Sequence, residues 1–195
     1  TILDDVFALR DMDDAADGGK VKERYNGSGA TVRGFNVEGR AAFTRWFELQ
    51  AGVTLQQSRY KEPEFWSEDA EVPPVRRMFR TPDTYGYFTA SFKPVRNFTA
   101  DLSGTCTGSM LVQHMAGSGV AQDVAVSTPS FFDMNIRLSY DVRIYKEITM
   151  QLYGGVQNLF NAYQKDFDKG VDRDSGYIYG PSLPRSWFVG AKFSF

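Results

Sequence analysis

Period-two alternation of apolar and polar residues is the dominant pattern along this chain. From Phe132 to Val142 every position obeys it. Phe132, Met134, Ile136, Leu138, Tyr140 and Val142 are apolar, and Asp133, Asn135, Arg137, Ser139 and Asp141 between them are polar or charged. Successive side chains of a strand point to opposite faces, so the segment has one greasy face and one wet face. The pattern recurs over Phe35 to Phe43, Phe47 to Leu55, Phe98 to Met110, Ile148 to Gln157 and Trp187 to Phe195. A weaker run covers Tyr85 to Phe92, and a short one, Leu3 to Leu9, opens the chain. This predicts about eight strands, mostly about 9 to 14 residues long, where soluble strands average about 5 to 6. A tilted strand that crosses a bilayer needs about 9 to 11 residues.

The connections alternate in length. Short ones fall at 44–46, 93–97 and 143–147, and long ones at 10–29, 61–83, 115–130 and 159–185. Short turns at one end and long loops at the other are the pattern of an outer-membrane barrel, with periplasmic turns and extracellular loops. The expected fold is therefore all-β, an antiparallel transmembrane β-barrel, with the C-terminus on the periplasmic side. Phe47, Phe98 and Tyr145 are expected in one aromatic girdle, and Tyr60, Tyr85 and Trp187 in the other. A soluble antiparallel sandwich also alternates, but strand length and the asymmetric loops count against it. The wet phase carries Glu38, Arg40, Glu48, Asp101, Asp133, Arg137 and Asp141. Inward charges of both signs suit a hydrated lumen better than a dry core.

Composition narrows the function. The 195 residues carry 22 Lys+Arg against 24 Asp+Glu, a net charge of −2, which argues against nucleic acid as the main partner. The chain holds 16 Phe, 10 Tyr and 3 Trp, too aromatic for a disordered segment. Cys106 and His114 are each the sole residue of their type, so a Cys/His metal site or a Cys–His catalytic pair has little to draw on. No enzyme activity is expected. Cys106 lies in an apolar phase and reads as a small hydrophobe. A mean hydropathy of −0.37 does not speak against a barrel, which hides its lipid face in alternate residues.

Gly154-Gly155-Val156-Gln157-Asn158-Leu159-Phe160-Asn161, then Tyr179-Gly180-Pro181, Pro184-Arg185 and the terminal Phe193-Ser194-Phe195, form a second kind of signal. This block resembles the end of TonB-dependent outer-membrane receptors, where a G-x-x-N-L-F-N strand end, a long loop, Y-G…P-R and a final strand ending in Phe recur. Upstream, Tyr25-Asn26 and the stretch from Ala30 to Glu38 resemble another strand of that family. The resemblance implies a barrel of about 22 strands around a plug. Residues 1–195 would be its C-terminal part, with the plug and its energy-coupling box outside this chain. It implies uptake of a scarce bulky nutrient: a ferric siderophore first, then cobalamin, heme or an oligosaccharide. The implied partners are the lipid bilayer and lipopolysaccharide, the protein's own plug and remaining strands, and the TonB complex through the plug. The final strand, with Gly190 and with Phe193 and Phe195 on one face, resembles the signal read by the barrel-assembly machinery. The alternative is a complete eight-stranded outer-membrane barrel with a structural or adhesive role.

Candidate contacts lie in the long loops. Tyr60, Trp66, Arg76, Arg77 and Arg80 combine aromatics with arginine, the types that dominate binding hot spots and suit anionic siderophore groups. His114, just past a strand end, is a further ligand candidate. Asp166, Asp168, Asp172 and Asp174 are spaced two or four apart around Gly170, a pattern that could supply oxygen ligands to Ca²⁺, although an ordinary solvated loop has the same composition.

Overall fold

The structure, a computed structural model, describes residues 1–4, 7–13, 20–69, 71–181 and 183–195. Among them there is no helix, and the strands are antiparallel apart from one isolated parallel bridge between Phe79 and Leu111. In chain order they are β1 (Ile2–Leu3), β2 (Phe7–Asp13), β3 (Lys20–Asn26), β4 (Ala30–Thr44), β5 (Phe47–Glu64), β6 (Val75–Arg77), β7 (Thr84–Val95), β8 (Phe98–Thr107), β9 (Leu111–His114), β10 (Val124–Ser127), β11 (Phe131–Tyr145), β12 (Ile148–Gln157) and β13 (Ser186–Ser194). One sheet runs β1-β4-β5-β7-β8-β11-β12-β13, with β6 pairing β5 off that path. The hairpins β2–β3 and β9–β10 stand apart as two-stranded sheets.

Register carries the apolar phase intact across this sheet. Ala41 faces Leu49, Leu49 faces Ala90, Ala90 faces Leu102, Leu102 faces Ile136, Ile136 faces Val156 and Val156 faces Trp187. A slip of one residue in any pair would flip the following strands' side chains to the other face. Its large side chains are mostly open, with Phe35 68% exposed, Trp187 77% and Val189 90%, while Ala90 and Val156 are buried. Contiguous apolar surface on this scale marks contact with another apolar medium. Of the other buried apolar residues, Ala30 opens β4, and Val72, Val112 and Tyr177 lie in the long connections.

The wet phase is laced together by side-chain hydrogen bonds between strands. Arg40 pairs with Glu48, Gln50 donates to Glu38 at 3.0 Å, Ser91 donates to Asp101 at 2.7 Å and Gln151 donates to Asp141 at 2.9 Å. Arg137 lies 4.6 Å from the centre of the Tyr153 ring. Gly190 makes room for that ring, since a Cβ there would sit 2.5 Å from it.

Three expectations change. The opening run Leu3 to Leu9 is not one described strand: residues 5 and 6 lie outside the described residues, β1 pairs β4, and β2 pairs β3. The connection expected over 10–29 holds most of the β2–β3 hairpin. Tyr60 and Tyr85 do not belong to an outer girdle. Tyr85 faces Thr54 and Thr107, and Tyr60 faces Ala30, all on the wet phase. At the short-turn end Phe47 does sit in an aromatic group, 4.6 Å from Phe92 and 5.5 Å from Phe43 between ring centres.

Candidate ligand-facing loop cluster

The long connections 65–83, 108–130 and 158–185, called here the first, second and third loops, gather at one end of the sheet and bind each other. Asn158 starts the third loop at the end of β12. It holds a φ of 50°, a left-handed conformation that Asn tolerates better than most residues. Its amide donates to the carbonyls of Ala162 at 2.9 Å and Leu183 at 2.8 Å, while its oxygen accepts from the Ala162 N–H at 2.8 Å. Asn161, at a φ of 54°, accepts from the Arg185 N–H at 2.9 Å. The two asparagines of the N-L-F-N motif thus tie the outgoing stem of the loop to its return.

Inside the third loop, Gln164 donates to the Tyr177 carbonyl at 3.0 Å and accepts from the Tyr179 N–H at 2.9 Å. Tyr177 and Tyr179 both donate to the Asp166 carboxylate, at 3.0 and 2.5 Å. Burial pushes the Asp166 pKa up, but the hydrogen bonds from Tyr179, Tyr177 and Gln164 outweigh it and hold it below 3.8. Burial, then the Asp166 carboxylate, push the Tyr177 phenol up to about 12, so it stays a donor at neutral pH.

His114 joins the second loop to the third. It ends β9, opposite Val124 of β10. Its ring stacks on Tyr177 at 3.7 Å and 5°, and its Nε2 lies 3.0 Å from Asp168 Oδ1. Both side chains are nearly closed off, at 8% and 3% exposure. Asp168 also accepts the Asp174 N–H at 3.0 Å, the first cause of its lowered pKa. Asp174 in turn accepts from the Met115 N–H at 2.8 Å and the Gly176 N–H at 2.8 Å.

Arg80 brings in the first loop. It donates to the Ile178 carbonyl at 2.8 Å and to the Gly176 carbonyl, and its own N–H reaches Leu111 O at 2.7 Å. Arg77 donates to Ser109 O at 2.7 Å and pairs with Asp83 at 3.0 Å. Arg76 donates to Lys61 O at 3.2 Å, and Trp66 packs edge-on against Phe79 at 5.3 Å. Tyr60 lies apart, lining a cleft with Thr31, Arg33, Gln57 and Arg59.

The structure therefore brings Arg80 and His114 together around the Tyr177 segment, and places Trp66, Arg76 and Arg77 in the neighbouring first loop. It does not bring the four aspartates together as a cation cage. Asp166 and Asp168 serve hydroxyl, imidazole and backbone donors, and Asp174 serves backbone donors. Among the described residues no group of three or more His, Cys, Asp and Glu side chains is placed to hold a metal. Sequence reasoning missed Tyr177, Gln164 and Asn158 as organisers. The N-L-F-N motif pointed at Asn158, but nothing local marks the other two.

A sheet with an unbroken apolar phase, a laced polar phase and interlocked loops at one end has the architecture of a β-barrel wall. Comparison with solved structures gives the same fold. The ferric-catecholate import receptor Fiu of Escherichia coli K12 matches at a TM-score of 0.60 and 21% identity, over 90% of this chain and 22% of that one. The ferric enterobactin receptor PfeA of Pseudomonas aeruginosa matches at 0.63 and 14%, over 97% of this chain and 27% of that one. The siderophore receptor PiuA of Acinetobacter baumannii matches at 0.57 and 18%, over 84% and 21%. The chain thus spans about a quarter of the length of these structures. No protein-family model and no curated protein sequence matches it.

Proposed function

We propose that this chain is the C-terminal part of the barrel of a TonB-dependent outer-membrane receptor that imports a ferric siderophore. One observation carries the reading: an unbroken apolar phase crosses the long strands, whose interlocked loops crowd one end, in a wall shaped like those of siderophore receptors. The long loops face the exterior and the short turns face the periplasm. A plug fills the lumen and carries the contact with the TonB complex. The Phe193 and Phe195 stripe on β13 is the feature that the barrel-assembly machinery would read, by edge pairing.

The strand order counts against a self-contained eight-stranded barrel. β1 contributes only two residues, and among the described strands β13 pairs with β12 alone. An unpaired edge in hydrocarbon costs several kcal/mol per unsatisfied group, so β13 needs a further strand of the same protein.

The test is uptake. Cells that make the full-length protein should accumulate radiolabelled iron from a ferric catecholate, and should lose this when the energy-coupling protein is deleted. Equal uptake with and without coupling, across catecholate, hydroxamate, heme and cobalamin substrates, would overturn the reading.

A further inference from the structure

The apolar phase ends abruptly toward the long loops, and the positions beyond it turn polar and cationic. On β4 that phase runs Phe43, Ala41, Gly39, Val37, Phe35 and continues to Arg33 and Thr31. On β5 it runs Leu49, Ala51, Val53, Leu55 and continues to Gln57 and Arg59. The register is unbroken here, with Phe35 opposite Leu55, Arg33 opposite Gln57 and Thr31 opposite Arg59. These polar side chains therefore point to the same side of the sheet as the apolar belt.

Height comes from strand geometry. At about 3.4 Å per residue, Phe43 to Phe35 covers about 27 Å of strand. Tilted by about 40°, that gives a belt about 21 Å tall, close to the roughly 25 Å apolar band of such barrels. Arg33 stands one pleat repeat beyond its edge, roughly 5 Å above the hydrocarbon by the same rise, and Arg59, level with Thr31, stands two repeats beyond, roughly 10 Å. That is the level of lipid headgroups.

Thr31, Arg33, Gln57 and Arg59, with Tyr60, line a cleft of about 180 Å³. Arg33 and Arg59 are exposed. Neither has an ion pair or hydrogen bond among the described residues, unlike Arg77 on the neighbouring strand, which pairs with Asp83. Two unpaired guanidinium groups beside a hydroxyl and an amide match a phosphate monoester, which guanidinium binds bidentately.

We infer that this cleft binds a phosphate on the headgroup of an outer-leaflet glycolipid, with Arg33 and Arg59 as the paired cations. The acyl chains would lie along Phe35, Val37, Val53 and Leu55 below. The inference rests on the outer-membrane reading above.

The test uses the full-length protein, folded in detergent and titrated with diphosphorylated lipid A, its dephosphorylated form and inorganic phosphate, with bound species counted by native mass spectrometry. Binding of diphosphorylated lipid A should fall at least tenfold in the Arg33→Gln/Arg59→Gln double variant. It should be unchanged in Arg45→Gln, which removes an arginine at the short-turn end. Dephosphorylated lipid A should bind no better to the parent than to the double variant. Gln57→Glu, which sets a carboxylate between the arginines, should reproduce the loss if the double variant does not fold. Undiminished binding in the folded variants overturns the inference. So does inorganic phosphate that binds the cleft as tightly as lipid A, which would make it a free-anion site. A protein that folds and stays monomeric without detergent would instead sink the outer-membrane reading itself.

Discussion

Replacing Asn158 with alanine tests how the loop cluster is held. The side chain makes three hydrogen bonds, to Ala162 O, to Leu183 O and from Ala162 N–H, and it is 3% exposed. At about 1 kcal/mol each, their loss costs about 3 kcal/mol. Alanine at a φ of 50° adds about 1 kcal/mol of left-handed strain. Local opening of the third loop should become easier by about 4 kcal/mol, and with each 1.4 kcal/mol worth tenfold, its amides should exchange several-hundredfold faster. Hydrogen exchange read by mass spectrometry on the full-length protein in detergent measures this. Peptides containing Ala162 and Tyr179 should lose protection, while β8 and β11 keep theirs. Asn158→Gly, which keeps the bonds broken but relieves the strain, should be milder by roughly 1 kcal/mol, the strain alone. Exchange of the third loop within threefold of the parent in Asn158→Ala would refute the reasoning.

The lipid phase gives a second expectation. Ile136→Arg should destabilise folding into lipid vesicles by about 2–4 kcal/mol in a denaturant titration, and Thr89→Arg on the wet phase by much less. Asn135 is a poor wet-phase control, since it accepts the Asn158 N–H at 2.9 Å. In acid, Asp166 and Asp168, both with pKa values held below 3.8, stabilise the third loop only while ionised. Its exchange protection should therefore be flat from pH 7 to about 5 with respect to these two groups, and should be lost as pH falls below their ordinary value. Gly190→Ala should cost about 1–3 kcal/mol by pressing a methyl group onto the Tyr153 ring, readable as a lowered denaturant midpoint.

The wall was legible in the sequence because a face turned to lipid, as proposed above, demands an apolar residue at every second position. Phe35 to Phe43 and Phe132 to Val142 record that demand directly. Beyond the apolar belt that demand ends while backbone pairing continues. β4 therefore begins at Ala30 and β5 runs to Glu64 through Gln57, Arg59 and Lys61, where alternation of hydropathy has no reason to persist. The hairpins β2–β3 and β9–β10 were invisible for the same reason. Tyr85 and Tyr87 weakened the β7 pattern because they carry large rings on the wet phase, where Tyr87 takes a 3.3 Å hydrogen bond from Gln50. The loop cluster was half legible. Arg80 and His114 stood out by type, but their partners are Gly176, Ile178, Tyr177 and Asp168, far along the chain. Only folding sets those pairings. The aspartates' spacing looked like a cation loop because spacing does not reveal which donors the carboxylates already serve.

The most direct measurement of the central claim is a cysteine scan along β11 in a Cys106→Ser background, with the full-length protein in native outer membranes. Ile136→Cys, Leu138→Cys and Tyr140→Cys should resist a membrane-impermeant maleimide. Arg137→Cys and Asp141→Cys should react with it through the hydrated lumen. Labelling at 136, 138 and 140 with protection at 137 and 141 would mean that the apolar phase does not face lipid, and would contradict the account.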